Sequence, residues 1–168
     1  MSRPVQIREA TDADWPAIFP VFRAVVDAGE TYTHPAGLSS DEARALWMAP
    51  PPGRTVVAVD GDSVLGTAKA GPDRPGRGSH VVTASFMVGP AAQGRGVGRA
   101  LGEHVVGWAR AAGYRSIQFD SVVETNAPAV RLWRSLGFRI LTTVPEAFDH
   151  PEPGYVGLHG MYLDLTAG

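Results

Sequence analysis

Apolar residues along the chain fall into two spacings, one helical and one strand-like. Trp15, Ile18, Phe22 and Val25/Val26 recur at helical spacing behind the cap-forming oxygens of Thr11, Asp12 and Asp14, which predicts an amphipathic helix. Pro16 suits its first turn, whereas Pro20 should bend or divide it, because proline removes a backbone donor and crowds the preceding turn. Ser39 and Glu42 form a capping-box pattern that opens a short helix through Trp47, and Pro50-Pro51-Pro52-Gly53 stops it. Arg54 to Asp60 and Ser63 to Ala70 flank Gly61-Asp62, a hairpin signal. A polar loop from Gly71 to Ser79 precedes His80 to Val88, whose nearly continuous small and apolar residues predict a central strand. Leu101, Val105 and Trp108 mark a helix over Val97 to Ala112, ended by Gly113. Ser116 to Val123 reads as a strand and Pro128 to Leu136 as a helix closed by Gly137. Phe138 to Val144 and Tyr155 to Leu165 read as closing strands joined by the proline-rich connector Pro145 to Gly154, and a short strand over Val5 to Glu9 opens the chain.

At 168 residues the chain fits one domain, residues 1–168, large enough to bury a core without a metal or disulfide. Fifteen basic against 17 acidic residues, a formal charge of -2, lack the field with which non-specific nucleic-acid binders gather phosphates. The absence of cysteine removes disulfides, thiolate metal sites and a cysteine nucleophile, and the scattered histidines suggest no metal site. Without an apolar signal core or membrane-length run, a cytoplasmic location is expected, with no membrane partner.

The strongest chemical signal is Gln93-Gly94-Arg95-Gly96-Val97-Gly98-Arg99, between a predicted strand and a predicted helix. Glycines there let backbone N–H groups approach an anion, and the helix N-terminus adds partial positive charge. Arg95 and Arg99 can supplement it; the plainer alternative is a tight turn. No G-x-x-x-x-G-K-[ST] occurs, which excludes a nucleotide P-loop, and Arg99 replaces the third glycine of a dinucleotide fingerprint.

Read as Q-x-x-G-x-G, Gln93, Gly96 and Gly98 resemble the pyrophosphate loop of the GCN5-related N-acetyltransferases (GNAT). Asn126, Ala129, Leu132, Trp133, Gly137 and Phe138 resemble that family's second cofactor-side helix and the strand after it, so the likeness spans Ile7 to Leu165. The resemblance implies an α/β (α+β) fold with a central mixed seven-stranded sheet, splayed between strands 4 and 5 and flanked by about four helices. It implies acetyl-CoA as cofactor, contacted by Phe86, Met87, Val88, Gln93, Gly94, Arg95, Gly96, Val97, Gly98, Arg99, Asn126, Ala129, Leu132 and Trp133. The implied reaction is direct attack by an amine on the thioester, with the Val88 N–H stabilising the oxyanion. Trp133 stands where many members carry a proton-donating tyrosine, so it either packs the pantetheine wall or takes some other catalytic part.

A base is needed to deprotonate the amine, and Asp120, Glu124, Glu30 and His80 are candidates. Asp120 is the most pointed, because a carboxylate within an apolar central strand should be desolvated, with its pKa raised. Glu30, Tyr32, Thr83 and Ser85 are the expected acceptor-side residues, and Asn126 orients acceptor or cofactor or else only caps a helix. Pro72 to His80, with Thr31-Tyr32 and Val123 to Asn126, resembles the yeast azetidine-2-carboxylate (proline-analogue) N-acetyltransferases, although Val81, Val82 and Thr83 replace asparagines of that pattern. The expected partner is a small-molecule amine, an amino acid or relative. An idle acyl-CoA-binding sensor and a protein N-terminal or lysine acetyltransferase are the alternatives. The strands around Tyr155 and Tyr162 offer a homodimer surface.

Overall fold

The computed structural model describes residues 4–167. In chain order the elements are β1 (Gln6–Glu9), α1 (Trp15–Ala28), α2 (Ser40–Trp47), β2 (Arg54–Asp60), β3 (Ser63–Pro72), β4 (Val81–Val88), α3 (Val97–Ala111), β5 (Ser116–Val123), α4 (Ala127–Ser135), β6 (Arg139–His150) and β7 (Gly154–Asp164). The strands form one seven-stranded sheet in the order β1-β2-β3-β4-β5-β7-β6, antiparallel except for β4 with β5.

Apolar layers cover both faces. On one, Trp15, Ile18 and Phe22 of α1 and Trp47 of α2 pack against Val57, Val59 and Met87. On the other, Val97, Leu101 and Val105 of α3 and Trp133 of α4 pack against Val56, Ala58, Val82 and Ile117. Alternate β2 residues thus enter opposite layers, which is why this strand reads as an unbroken apolar run. Burying side chains such as Ile18, Phe22 and Trp47 contributes about 1.5–3 kcal/mol each.

Three expectations are corrected. The α1 helix runs through Pro20 undivided; Pro20 is on its exposed side, where water can satisfy the carbonyl left without a donor. The first part of the proline-rich stretch after Val144 is strand rather than connector, since β6 continues to His150 and only residues 151–153 form the turn into β7. It lies at the sheet edge, where proline's missing N–H costs no ladder bond, and the register shifts between Val144 and Phe148, with Glu146 at φ 52°. Similarly, β3 extends to Pro72, into the stretch read as a loop.

Candidate active site

The sheet is open at its centre. Strands β4 and β5 pair only at Val81↔Ser116 and Val82↔Ile117, and then diverge. Which backbone groups this exposes follows from the register with β3. The Gly89 N–H donates to the Leu65 carbonyl at 2.8 Å, and the pairs Thr67↔Met87, Lys69↔Ser85 and Gly71↔Thr83 continue that alternation. The N–H and C=O groups of Ala84, Phe86 and Val88 therefore turn away from β3, into the gap. Those of Phe86 are engaged by the Tyr32 hydroxyl, which accepts from the Phe86 N–H at 2.7 Å and donates to the Phe86 carbonyl at 2.5 Å. The Val88 carbonyl accepts from Gln93 Nε2 at 3.3 Å, and the Val88 N–H faces the gap.

The gap opens into a cleft of about 830 Å³. At one end stands the start of α3. Gly94 and Gly96 hold φ values of 78° and 77°, and no side chain caps the helix, in contrast to α2, capped by Ser39, and α4, capped by Asn126. A Cβ placed on Gly96 would meet nothing within 4 Å, and no side chain takes up the first-turn N–H groups, which have no partner within the helix. The geometry fits a cradle for an anionic group. Gln93, Gly94, Gly96, Val97 and Gly98 line the cleft there, as do Phe86, Met87, Val88, Asn126, Ala129, Leu132 and Trp133. Arg95 and Arg99, expected to supplement the cradle, are not among the residues that line the cleft. Arg95 pairs with Asp60 at 3.3 Å, and Arg99 donates to Ser135 Oγ at 2.6 Å and lies 3.4 Å from Glu103.

Trp133 is buried among Phe86, Phe119 and Phe138, with ring centroids at 4.6, 4.9 and 5.8 Å. It also closes on α3, because a Cβ at Gly102 would come within 2.9 Å of its ring. Asn126 accepts from the Ala129 N–H at 3.4 Å, which makes it the N-cap of α4 as well as part of the cleft wall.

The opposite end carries Glu30, Tyr32, Thr83 and Ser85, the residues read as acceptor-side, together with His34, Lys69, Asp73 and Asp120. Asp120 is corrected in its environment. It is exposed, at the start of a register shift between Phe119 and Val122, and accepts from Gln118 Nε2 at 2.8 Å; the desolvation argument does not apply to it. The shielded carboxylate is Asp73, whose side chain is 12% exposed. Burial raises its pKa first and the nearby Asp120 charge adds to this, while Arg74 counteracts. Glu124 lies outside the cleft lining and accepts from the Gly157 N–H at 2.7 Å, a bond tying β5 to β7. His80 is exposed and also outside it.

Sequence reading missed His34, Lys69 and Asp73. His34 stacks on Tyr32, centroids 6.0 Å apart at 4°, and its pKa is lowered by burial and then by Lys69. Lys69, the only lysine of the chain, donates to the Leu46 carbonyl at 2.6 Å, lies over the Trp47 ring and has its pKa lowered by burial. The register of β3 with β4 is the signal that finds it, because Lys69 stands opposite Ser85. Burial also raises the Tyr32 hydroxyl well above the usual phenol range, which keeps it protonated. Among the described residues, no group of three His, Asp or Glu side chains is placed to hold a metal, and no helix is long and apolar enough to cross a membrane.

Comparison with known proteins bears on the fold and the family. A solved GCN5-related N-acetyltransferase from Kribbella flavida is 59% identical and superposes with a TM-score of 0.92 over 95% of this chain and 97% of that one. The structure of yncA from Salmonella typhimurium, a putative acetyltransferase with its cofactor acetyl-CoA, is 28% identical with a TM-score of 0.82, over 99% and 96% of the two chains. The L-methionine sulfoximine/L-methionine sulfone acetyltransferase of Salmonella typhimurium is 30% identical over 95% of this chain and 90% of its own. Two yeast relatives are longer. The chain matches N-acetyltransferase aca1 of Schizosaccharomyces pombe at 28% identity, over 67% of this chain and 61% of aca1. It matches Protein SPT10 of Saccharomyces cerevisiae at 34%, over 55% of this chain and 15% of SPT10. The sequence pattern of the Acetyltransferase (GNAT) family matches residues 14–138, across the cradle, the open strand edge and the aromatic wall alike; the chain belongs to that family of N-acetyltransferases, whose cofactor is acetyl-CoA.

Proposed function

We propose that this protein acetylates the amine of a small molecule, an amino acid or a related amine, by direct attack in a ternary complex. The observation that carries this reading is one continuous cleft joining an uncapped helix N-terminus, an unpaired strand edge and a polar end with charges of both signs. Bound acetyl-CoA supplies the activated acyl carbonyl and a thiol leaving group. The N–H groups around Gly94, Gly96, Val97 and Gly98, with Gln93, hold its pyrophosphate, each favourable charge contact at the helix end being worth about 0.3–1 kcal/mol. Phe86, Met87, Ala129, Leu132 and Trp133 wall the arm and exclude water. The Val88 N–H, fixed by the sheet and directed into the gap, receives the carbonyl oxygen as negative charge develops on it, a contribution of the kind whose loss costs about 10²–10³ in rate.

At the polar end, Asp120 and Asp73 attract the acceptor as an ammonium, and Asp120 takes its proton. Lys69 offers a countercharge to an acceptor carboxylate, and Thr83, Ser85, Tyr32 and Glu30 complete the pocket. Asn126 holds the end of α4 against the cofactor. Trp133 packs; with no hydroxyl at that position, water returns the proton to the departing sulfur. A proline-analogue acceptor is one member of this class. The exposed Leu141, Val144 and Tyr155 of the β6–β7 edge are the surface a cytoplasmic homodimer would use.

The test is thiol release from acetyl-CoA scanned over amino acids, polyamines, aminoglycosides and basic peptides. The cysteine-free chain adds no thiol background. Release with an amino acid or small amine supports the proposal. Release with basic peptides alone points to a protein acceptor, and tight binding without release points to a sensor.

A further inference from the structure

Tyr32 reaches out of the segment between α1 and α2 to the open edge of β4, where one hydroxyl serves both backbone groups of Phe86. This replaces the bonds a neighbouring strand would make, in the plane of the sheet rather than above it. The phenol is braced by its stack on His34, and the His34 ring lies 5.9 Å from Phe22 in the buried layer. Tyr32 is thus a fixed object on the line of the gap.

We infer that Tyr32 is the stop that sets acyl-chain length, admitting acetyl and turning away longer acyl donors. The inference rests on the reading that the Val88 N–H holds the thioester carbonyl oxygen. Edge groups facing the same gap recur every second residue, about 6.6–6.8 Å apart. An oxygen held by Val88 and the Tyr32 oxygen held by Phe86 each stand one hydrogen bond off the edge, so they are separated along the gap by about that distance. The phosphate cradle follows the C-terminal end of β4, so the arm arrives from that side and the acyl chain points on toward Phe86.

From a carbonyl oxygen to the first acyl carbon beyond it is about 2.4 Å by standard bond lengths, which leaves about 4.3 Å between an acetyl methyl and the phenol oxygen. That is slightly beyond van der Waals contact, at about 3.5–4.0 Å. One further carbon narrows the separation to about 3 Å, and a second overlaps the phenol. One face of the track is closed by the Phe86, Phe119 and Trp133 rings. Turning to the other face puts the chain beside Ser85, in the place of the attacking amine. Burial keeps the hydroxyl protonated, so both of its bonds to Phe86 persist across the working pH range.

The test is the ratio of dissociation constants for acetyl-CoA and butyryl-CoA, by titration calorimetry on the full chain, which requires no turnover. The wild type should bind butyryl-CoA about tenfold or more weakly, the size of an overpacked contact. Tyr32→Ala should bring the ratio close to one, and Tyr32→Leu, which keeps apolar bulk under the loop, serves if the alanine variant does not fold. Equal binding of both donors by the wild type, or an unchanged ratio in a folded variant, would overturn the inference. So would a Tyr32→Phe variant that binds both donors more tightly to the same degree, because the hydroxyl would then be displaced by the donor rather than facing its acyl end. Thiol release with acetyl-CoA separates the two readings. Turnover without discrimination removes the stop alone, and discrimination without turnover on any acceptor removes the transferase reading alone.

Discussion

Replacing Gly96 by alanine probes the cradle with little other disturbance. A Cβ at this position meets no atom within 4 Å, so packing is untouched and the stability cost is that of holding alanine at φ 77°. For a left-handed residue other than glycine this is about 1–2 kcal/mol, and in a chain of this size each kcal/mol lowers Tm by about 2–4 °C. Gly96 lines the cleft at the uncapped N-terminus of α3, so on the proposed reading the added methyl takes up space at the helix end that receives phosphate. Losing one hydrogen bond to a charged group costs about 1.5–3 kcal/mol, a factor of about 10 to 150 in affinity. Gly61 supplies the matched control, with φ 59° in the β2–β3 turn and no atom within 4 Å of an added Cβ. Calorimetric titration with coenzyme A should find binding weakened by Gly96→Ala and unchanged by Gly61→Ala, with similar small losses in Tm. A folded Gly96→Ala protein that binds coenzyme A like the wild type would refute the assignment of this helix end to phosphate.

Four further substitutions have expected outcomes. Gly102→Ala should destabilise by about 1–3 kcal/mol through overpacking, because the new Cβ falls 2.9 Å from the Trp133 ring and 3.0 Å from Leu136. Trp133→Phe should relieve much of that clash and itself leave turnover within a few-fold, so a double-mutant cycle by urea unfolding without coupling would contradict the packing, and a loss of turnover by orders of magnitude would give the indole a chemical part. Asp120→Asn should lower turnover with little change in coenzyme A affinity, and unchanged turnover would dismiss it as the base. Asp73 has a raised pKa in the fold, so the native state binds its proton more tightly than the unfolded chain does, and stability falls as pH rises from the usual carboxylate range through the folded value. Asp73→Asn should therefore raise Tm at neutral pH and lose that advantage below the usual carboxylate range; a difference in Tm that is the same at both pH values would count against the burial argument.

Helix caps, periodicity and the glycine loop were readable in the chain because each depends on neighbours within a few residues. The Ser39–Glu42 capping box, the 97–111 helix and the 116–123 strand appear where local spacing places them. Proline was the misleading signal. At Pro20 and Pro145 its cost depends on whether the missing N–H faces solvent or a sheet edge, and only the tertiary arrangement decides that. The same holds for charge. Asp120 reads as a buried carboxylate within an apolar run, yet the register shift beside it leaves it in solvent, while Asp73, unremarkable in sequence, is shielded at the end of β3.

By itself, the order of residues determined the helix that begins at the glycine loop, the strand before it and the family these motifs resemble, because such features are short in range. It could not decide that Arg95 and Arg99 are held by other partners, that Lys69 and His34 share the cleft, or that Tyr32 spans from residue 32 to Phe86. Those facts arise where β4 and β5 part. The divergence leaves backbone groups without a strand partner, and what satisfies or uses them comes from segments distant in sequence and adjacent only once the chain has folded.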